Sequence, residues 1–237
     1  MIVIYRFSDK GRPKNKPDYV TKRGCILHAL RIFTGHPFYV FADNTSDESY
    51  AFLMEHVPDS TNKVIRTTLS NAGAFMYAVK FAIDTFYDDD VVYLAEDDYI
   101  YTPDAPGILA EGIAISDYVS GYDHPDKYIN HNEEETNPFI QDGGELTRVL
   151  LTANRHWKCT NSCCMTFACK VKTLKADWDV YMKYCSDTCP YDFAMFCELV
   201  QQRGRRLISA IPGVSTHGET QWLSPLVDWG AMISRDG

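Results

Sequence analysis

The chain has 237 residues, 45% of them hydrophobic, and a formal charge of -9 at pH 7. That is enough for one substantial core, so a single domain over 1–237, elaborated at most by a loop, is expected. The acidic balance argues against a nucleic-acid binder, which needs surplus Lys and Arg to neutralise phosphates, and no stretch has the length and apolarity of a membrane span.

Met1-Ile2-Val3-Ile4-Tyr5 is too short for an export signal and runs straight into Arg6, so it reads as a first strand at about 1–6 in a cytoplasmic protein. A helix at about 20–33 follows, with Ile26, Leu27, Leu30 and Phe33 spaced to pack on a sheet, and then a strand at about 37–42. A second helix at about 46–56 and a strand near Lys63–Thr67 lead to Ser70, an N-cap for a helix carrying Phe75, Met76, Val79, Ala82, Ile83 and Phe86. This βαβ rhythm is that of an α/β fold with a mainly parallel sheet.

The next strand, Val91-Val92-Tyr93-Leu94-Ala95, ends in Glu96-Asp97-Asp98. An unbroken apolar run suits a strand covered on both faces, as in parallel sheets, and its tip then opens on the crevice where such sheets bind ligands. Hard carboxylate oxygens gathered there suit Mg²⁺ or Mn²⁺ carrying a phosphorylated substrate, whereas the plainer alternative is a solvated acidic turn.

Beyond the acids, Pro103 opens a helix whose apolar face runs from Ile108 to Ile115, and Tyr118–Tyr122 reads as a strand. Asp123 to about Gly144, with Glu133-Glu134-Glu135, is a polar excursion of a length that usually serves a function. Leu146–Leu151 and Thr160–Cys169 are expected to pair as antiparallel strands across Ala153-Asn154-Arg155, making the sheet mixed. Helices at about 173–184 and 190–203 and a strand at Arg206–Ile211 complete the body.

The loop after the first strand is unusually basic, with Arg6, Lys10, Arg12, Lys14, Lys16, Lys22 and Arg23 against Asp9 and Asp18. Loops at strand carboxyl ends face the ligand crevice, and Arg6 and Lys22 are the expected contacts to a diphosphate; the others read as a solvated loop. Eight cysteines at irregular spacing, with no C-x₂-C pair, are expected to be free thiols rather than zinc ligands or disulfides. Trp157 and Trp222, in polar surroundings, are the aromatic side chains expected to stack on an acceptor sugar.

Three separated pieces of this sequence resemble glycosyltransferases of the GT-A fold. Ser70-Asn71-Ala72-Gly73-Ala74 is similar to the Asn-x-Gly segment that opens the helix before the metal strand in many family-2 members. Val92-Tyr93-Leu94-Ala95-Glu96-Asp97-Asp98 resembles the Glu-Asp-Asp form of the DxD motif, and Val214-Ser215-Thr216-His217-Gly218-Glu219 lies where several such enzymes place a metal-binding His. The resemblance implies one GT-A-like domain with a mixed, mainly parallel central sheet flanked by helices and a small antiparallel acceptor-side hairpin. Residues of about 1–117 would form a nucleotide-sugar half and about 118–237 an acceptor half.

The activity implied is transfer of a sugar from a UDP- or GDP-sugar to a hydroxyl of a glycan or glycoprotein, with Mn²⁺, or Mg²⁺, as cofactor. By this resemblance Asp98 and His217 bind the metal, Asp97 contacts ribose or a metal-bound water, and Glu96 contacts the donor sugar. Asn71 and Gly73 open the donor-side helix, and Asp43 grips the base or ribose unless it is a simple turn residue. Asp192, opening a helix as the base of inverting members does, is the expected base, against the reading of an acid stabilising the helix dipole. Asp123, at a strand end, is the second catalytic candidate or a sugar contact. Two alternatives stay open: a sugar-nucleotide pyrophosphorylase-like nucleotidyltransferase, although Gly11-Arg12-Pro13-Lys14 is a thin version of its Gly-rich loop, and a non-catalytic carbohydrate-binding protein.

Overall fold

The computed structural model describes residues 1–11, 13–132 and 136–234. Arg12 of the basic loop and Glu133-Glu134-Glu135 of the polar excursion lie outside the described residues. The first half runs β1 (Ile2–Ser8), α1 (Lys22–Ile32), β2 (Phe38–Asp43), α2 (Asp47–His56), α3 (Ser60–Lys63), β3 (Val64–Thr67) and α4 (Asn71–Thr85). It continues with β4 (Val91–Glu96), β5 (Tyr99–Tyr101), α5 (Ala105–Ile113) and β6 (Tyr118–Ser120). The second half adds a 3-10 turn at Pro125–Tyr128, then β7 (Val149–Leu151), β8 (His156–Cys159), β9 (Phe167–Lys170), α6 (Val171–Ala176), α7 (Trp178–Tyr184) and α8 (Asp192–Gln201). It ends with β10 (Leu207–Ile211), β11 (Ser215–His217), a 3-10 turn at Thr220–Trp222 and α9 (Trp229–Ser234).

Among the described residues a nine-stranded sheet has the order β3-β2-β1-β4-β9-β6-β10-β8-β7, and a two-stranded sheet joins β11 to β5. β3, β2, β1 and β4 are mutually parallel, as are β6 and β10. β9 opposes both β4 and β6, and β8 opposes both β10 and β7. Seven strands thus run one way and two the other, which is the mixed, mainly parallel α/β architecture expected.

Alternation along β1 shows why the sheet is covered on both faces. Val3, Tyr5 and Phe7 enter one core cluster with Ile26 and Ala29 of α1 and Phe33 just after it, while Ile4 enters the other with Phe75, Val79 and Ala82 of α4. Capping fixes both helix starts: Thr21 Oγ1 accepts from the Gly24 N–H, and Ser70 Oγ from the Gly73 N–H at 3.1 Å. These caps place the N-termini of α1 and α4 beside the carboxyl ends of β1 and β4.

Two expected elements pair differently. Val149–Leu151 pairs with His156–Cys159 rather than with Thr160–Cys169, because the Thr152 N–H bonds the Arg155 carbonyl at 3.0 Å and closes a tight reversal onto the nearest segment. Phe167-Ala168-Cys169 instead lies between β4 and β6, where an apolar run buried on both faces belongs. The helix expected over 173–184 is broken at Asp177, whose carboxylate takes Arg205 at 2.8 Å and the Tyr118 hydroxyl at 2.6 Å. No helix among the described residues is long and apolar enough to cross a membrane.

Candidate functional site

Three acids follow one another at the end of β4, and each is gripped by a different element. Arg6 of β1 is the register partner of Glu96, and its Nη2 donates to Glu96 Oε1 at 2.7 Å. Arg6 Nη1 donates to Asn71 Oδ1 at 2.9 Å, tying the first turn of α4 to the same acid. Asp97 Oδ2 accepts from the Ser8 N–H at 2.9 Å and lies 3.2 Å from Lys22 Nζ, which also reaches the Ser8 carbonyl. Asp97 therefore joins the end of β1 to the start of α1.

Asp98 stands just before β5, and the two-stranded sheet brings His217 to it. β11 runs antiparallel to β5 with His217 opposite Tyr99, and the Gly218 N–H donates to the Asp98 carbonyl at 2.8 Å. This approach requires glycine: a Cβ at position 218 would sit 2.4 Å from Val20 Cγ1 and 2.8 Å from the Asp98 carbonyl oxygen. His217 Nε2 ends 3.2 Å from Asp98 Oδ2. Burial pushes the Glu96 and Asp97 carboxyls up, opposed by Arg6 and Lys22 respectively. Asp98 is desolvated too, but His217 and Lys16 override this and hold it well below the usual carboxylate range, making it the firmest anion of the three.

The 3.2 Å between Asp98 Oδ2 and His217 Nε2 bears on the expected metal. Adjacent ligands of an octahedral ion with bonds of about 2.1 Å lie about 3 Å apart, so one carboxylate and one imidazole fit such an ion. Among the described residues no group of three or more His, Cys, Asp or Glu side chains is arranged to hold a metal. The donor set thus fits an open site that leaves most positions to substrate oxygens and water, and it does not fit a closed structural centre.

Beside the acids lies a cavity of about 280 Å³ lined by His124, Asp126, Asn137, Ser162, Cys164 and Asp192, among others. Tyr99, the neighbour of Asp98, donates its hydroxyl to the Cys164 carbonyl at 3.2 Å and so joins this cavity to the acid site. Asp192 is the first residue of α8. Burial raises its pKa, although the N–H groups of Phe193 and Asp192 itself oppose the shift. Burial, then Asp192, then Glu96 raise the Cys164 thiol far above its ordinary value, which leaves it a poor nucleophile. The eight cysteines stand as free thiols.

Four expected contacts have other roles. Trp157 is 0% exposed in β8, with its indole Nε1 bonded to Thr152 Oγ1 at 3.0 Å, so it offers no face to a sugar. Asp43 is buried and accepts from Thr67 Oγ1 at 2.9 Å, the Leu69 N–H at 2.6 Å and Asn44 Nδ2 at 2.7 Å, which makes it the turn residue rather than a nucleotide grip. Arg6 is 7% exposed and committed to Glu96 and Asn71, so it positions an acid instead of meeting a diphosphate. Asp123 is 1% exposed, 2.7 Å from Lys158 Nζ, and accepts from the Tyr128 hydroxyl at 2.8 Å; it anchors the polar excursion from below. Trp222 is half-buried with its ring 5.2 Å from that of His124, at the edge of the cavity.

The buried Asp123–Lys158 pair gives a stability prediction. Asp123→Ala leaves the ammonium without its carboxylate, and breaking such a pair costs about 3–5 kcal/mol. Urea unfolding should register that loss, with Asp123→Ala/Lys158→Met regaining part of it. A change within 0–1 kcal/mol, roughly the range of an exposed pair, would show that Asp123 is not an anchor.

Lys14, Lys16 and Glu219 were not singled out by sequence. Lys16 Nζ is 2.8 Å from Asp98 Oδ2, and Lys14 Nζ is 3.2 Å from His217 Nε2 and 3.3 Å from Glu219 Oε2. Their signal was the basic excess of the first loop, but spacing within an irregular segment carries no rule for which cation turns inward.

No protein-family model matches this sequence, and no curated protein matches it. Among solved structures the chain is similar to a galactosyltransferase, LgtC, in complex with donor and acceptor sugar analogues, at 9% identity over 84% of this chain and 69% of that one, with a TM-score of 0.45. A protein from Desulfovibrio desulfuricans G20 described as a nucleotide-diphospho-sugar transferase matches at 10% identity, 88% and 78% coverage and a TM-score of 0.49. CMP:2-keto-3-deoxy-manno-octonic acid synthetase complexed with CTP matches at 11% identity, 90% and 92% coverage and a TM-score of 0.48. At this distance no residue role is carried over from any of them.

Proposed function

We propose that this chain is a divalent-metal-dependent glycosyltransferase that moves a sugar from a UDP- or GDP-sugar to a hydroxyl of a glycan or glycoprotein acceptor, with inversion. The observation that carries the proposal is the convergence of Asp98 and His217 at the carboxyl edge of the sheet, next to a cavity walled by Asp192. Ligands of α/β sheets bind at that edge.

Asp98 and His217 would hold the ion. Imidazole suits Mn²⁺ better than Mg²⁺, so Mn²⁺ is the proposed cofactor. When bound, the ion supplies positive charge against which the diphosphate leaves. Glu96 and Asp97, fixed by Arg6 and Lys22, line the donor side and accept hydrogen bonds from donor hydroxyls. Asp192 takes the acceptor proton as the new bond forms, and its burial makes it a stronger base than a surface carboxylate. The about 280 Å³ cavity receives the acceptor, with the Trp222 edge beside it.

The test is a screen of nucleotide-sugars with Mn²⁺ and Mg²⁺, scored by release of nucleoside diphosphate and by thermal stabilisation. A UDP- or GDP-sugar should stabilise the protein only with metal and release nucleoside diphosphate when acceptors are added. If the productive pair were instead a nucleoside triphosphate and a sugar phosphate, releasing pyrophosphate, the chain would be a nucleotidyltransferase and this reading would fail. Stabilisation by a free glycan with no need of nucleotide or metal would point to a carbohydrate-binding protein.

A further inference from the structure

The atoms best placed to bind a metal are already occupied by cations of the chain. Lys16 Nζ lies 2.8 Å from Asp98 Oδ2, and Lys14 Nζ lies 3.2 Å from His217 Nε2 and 3.3 Å from Glu219 Oε2. Both lysines come from the loop between β1 and α1, which is irregular from Gly11 to Pro17 apart from the undescribed Arg12. This loop is tied down by the site itself: the Thr220 N–H donates to the Asn15 carbonyl at 2.8 Å, so the segment between the two lysines is pinned beside His217.

Charge balance gives the arrangement a consequence. Asp98 and Glu219 bring two negative charges and Lys14 and Lys16 two positive ones, so with His217 as a neutral imidazole, the form that binds a metal, these five side chains carry no net charge. A divalent ion entering alone would add two positive charges within contact distance of two ammonium groups, where a partly buried site screens them poorly. The diphosphate of a nucleotide-sugar carries two negative charges, so ion and diphosphate together restore the balance, with the lysines released to the phosphate oxygens.

We propose that Lys14 and Lys16 are diphosphate-binding residues which, without donor, are parked on the metal ligands His217 and Asp98, so that metal and donor bind well only together. The proposal rests on the reading of Asp98 and His217 as metal ligands given above. Neither lysine needs to travel far: a four-carbon stem swings an ammonium several ångströms without backbone motion.

The experiment follows Mn²⁺ by electron paramagnetic resonance in the full chain, without nucleotide, and inorganic pyrophosphate binding by calorimetry in the presence of Mn²⁺. Pyrophosphate is used because its binding does not depend on which base the donor carries. Lys14→Met/Lys16→Met keeps the stems and removes the charges. It should bind Mn²⁺ alone at least tenfold more tightly than the parent chain, and Mn²⁺-dependent pyrophosphate at least tenfold more weakly. Arginine at both positions should restore pyrophosphate binding.

Unchanged Mn²⁺ affinity in the Met variant would overturn the parking of the lysines. Tighter Mn²⁺ with unchanged pyrophosphate binding would overturn their move onto the diphosphate. Asp98→Asn, placed in the Met background, separates the two levels: Mn²⁺ should then be lost. If Mn²⁺ binds the Met variant and the added Asp98→Asn change leaves it bound, the metal-ligand reading itself falls, and this proposal with it.

Discussion

Asp98→Asn is expected to abolish metal-dependent stabilisation by a nucleoside diphosphate while leaving the fold in place. At a hundredfold excess over its dissociation constant, a ligand that binds only the folded protein adds about 2.7 kcal/mol, a shift of several degrees in melting temperature. Asp98 is the acid of the trio that His217 and Lys16 hold most firmly ionised, and its Oδ2 is 3.2 Å from His217 Nε2. An amide at this position keeps the size of the side chain but gives up the charge. Because the Gly218–Asp98 contact is made through the backbone, the substitution does not disturb the path of β11. Differential scanning fluorimetry with UDP and GDP, each with and without Mn²⁺, reads the effect. A metal-dependent shift in Asp98→Asn equal to that of the parent chain would remove Asp98 from the metal and take the central claim with it.

The sheet was legible because its signals are periodic. Alternation along Val3, Ile4 and Tyr5 and the helical spacing of Ile26, Leu30 and Phe33 each have one packing solution, and the Ser70 cap is a local interaction needing no tertiary partner. The acids at the end of β4 were legible for the same reason, since an apolar run stopping in carboxylates fixes where they stand.

What escaped the sequence was decided by distant partners. Asp123 reads as an exposed strand-end acid until Lys158 and Tyr128 arrive from 35 and five residues away, and nothing near Trp157 signals that β8 will lie inside the edge strand β7. The short strands β5 and β11 have three residues each, too few for a period, yet their pairing sets His217 against Asp98. Lys14 and Lys16 sit in an irregular segment, where only the charge excess was visible and not the contact each cation makes.

The last expected result concerns the chemical step. Asp192→Asn should retain metal-dependent nucleotide binding but lower kcat by about 10²–10⁴-fold, the usual contribution of a positioned base. Asp192 is on the wall of the about 280 Å³ cavity, apart from the Asp98–His217 pair, so removing its charge leaves the donor side intact. Its position at the start of α8 also permits a purely structural role, in which its carboxylate stabilises the helix N-terminus, worth about 0.3–1 kcal/mol. That role would lower the melting temperature slightly and leave turnover almost untouched, so the two explanations separate cleanly in kinetics. The pH profile gives a second reading. Burial raises the Asp192 pKa, and a base acts in its deprotonated form, so kcat/KM should fall as pH drops through a value above that of an ordinary aspartate. This acid limb should vanish from the residual activity of Asp192→Asn. Direct attack opposite the departing diphosphate also inverts the anomeric centre, which NMR of the product reports. Retention of the donor's configuration, or near-normal turnover in Asp192→Asn, would exclude Asp192 as the base.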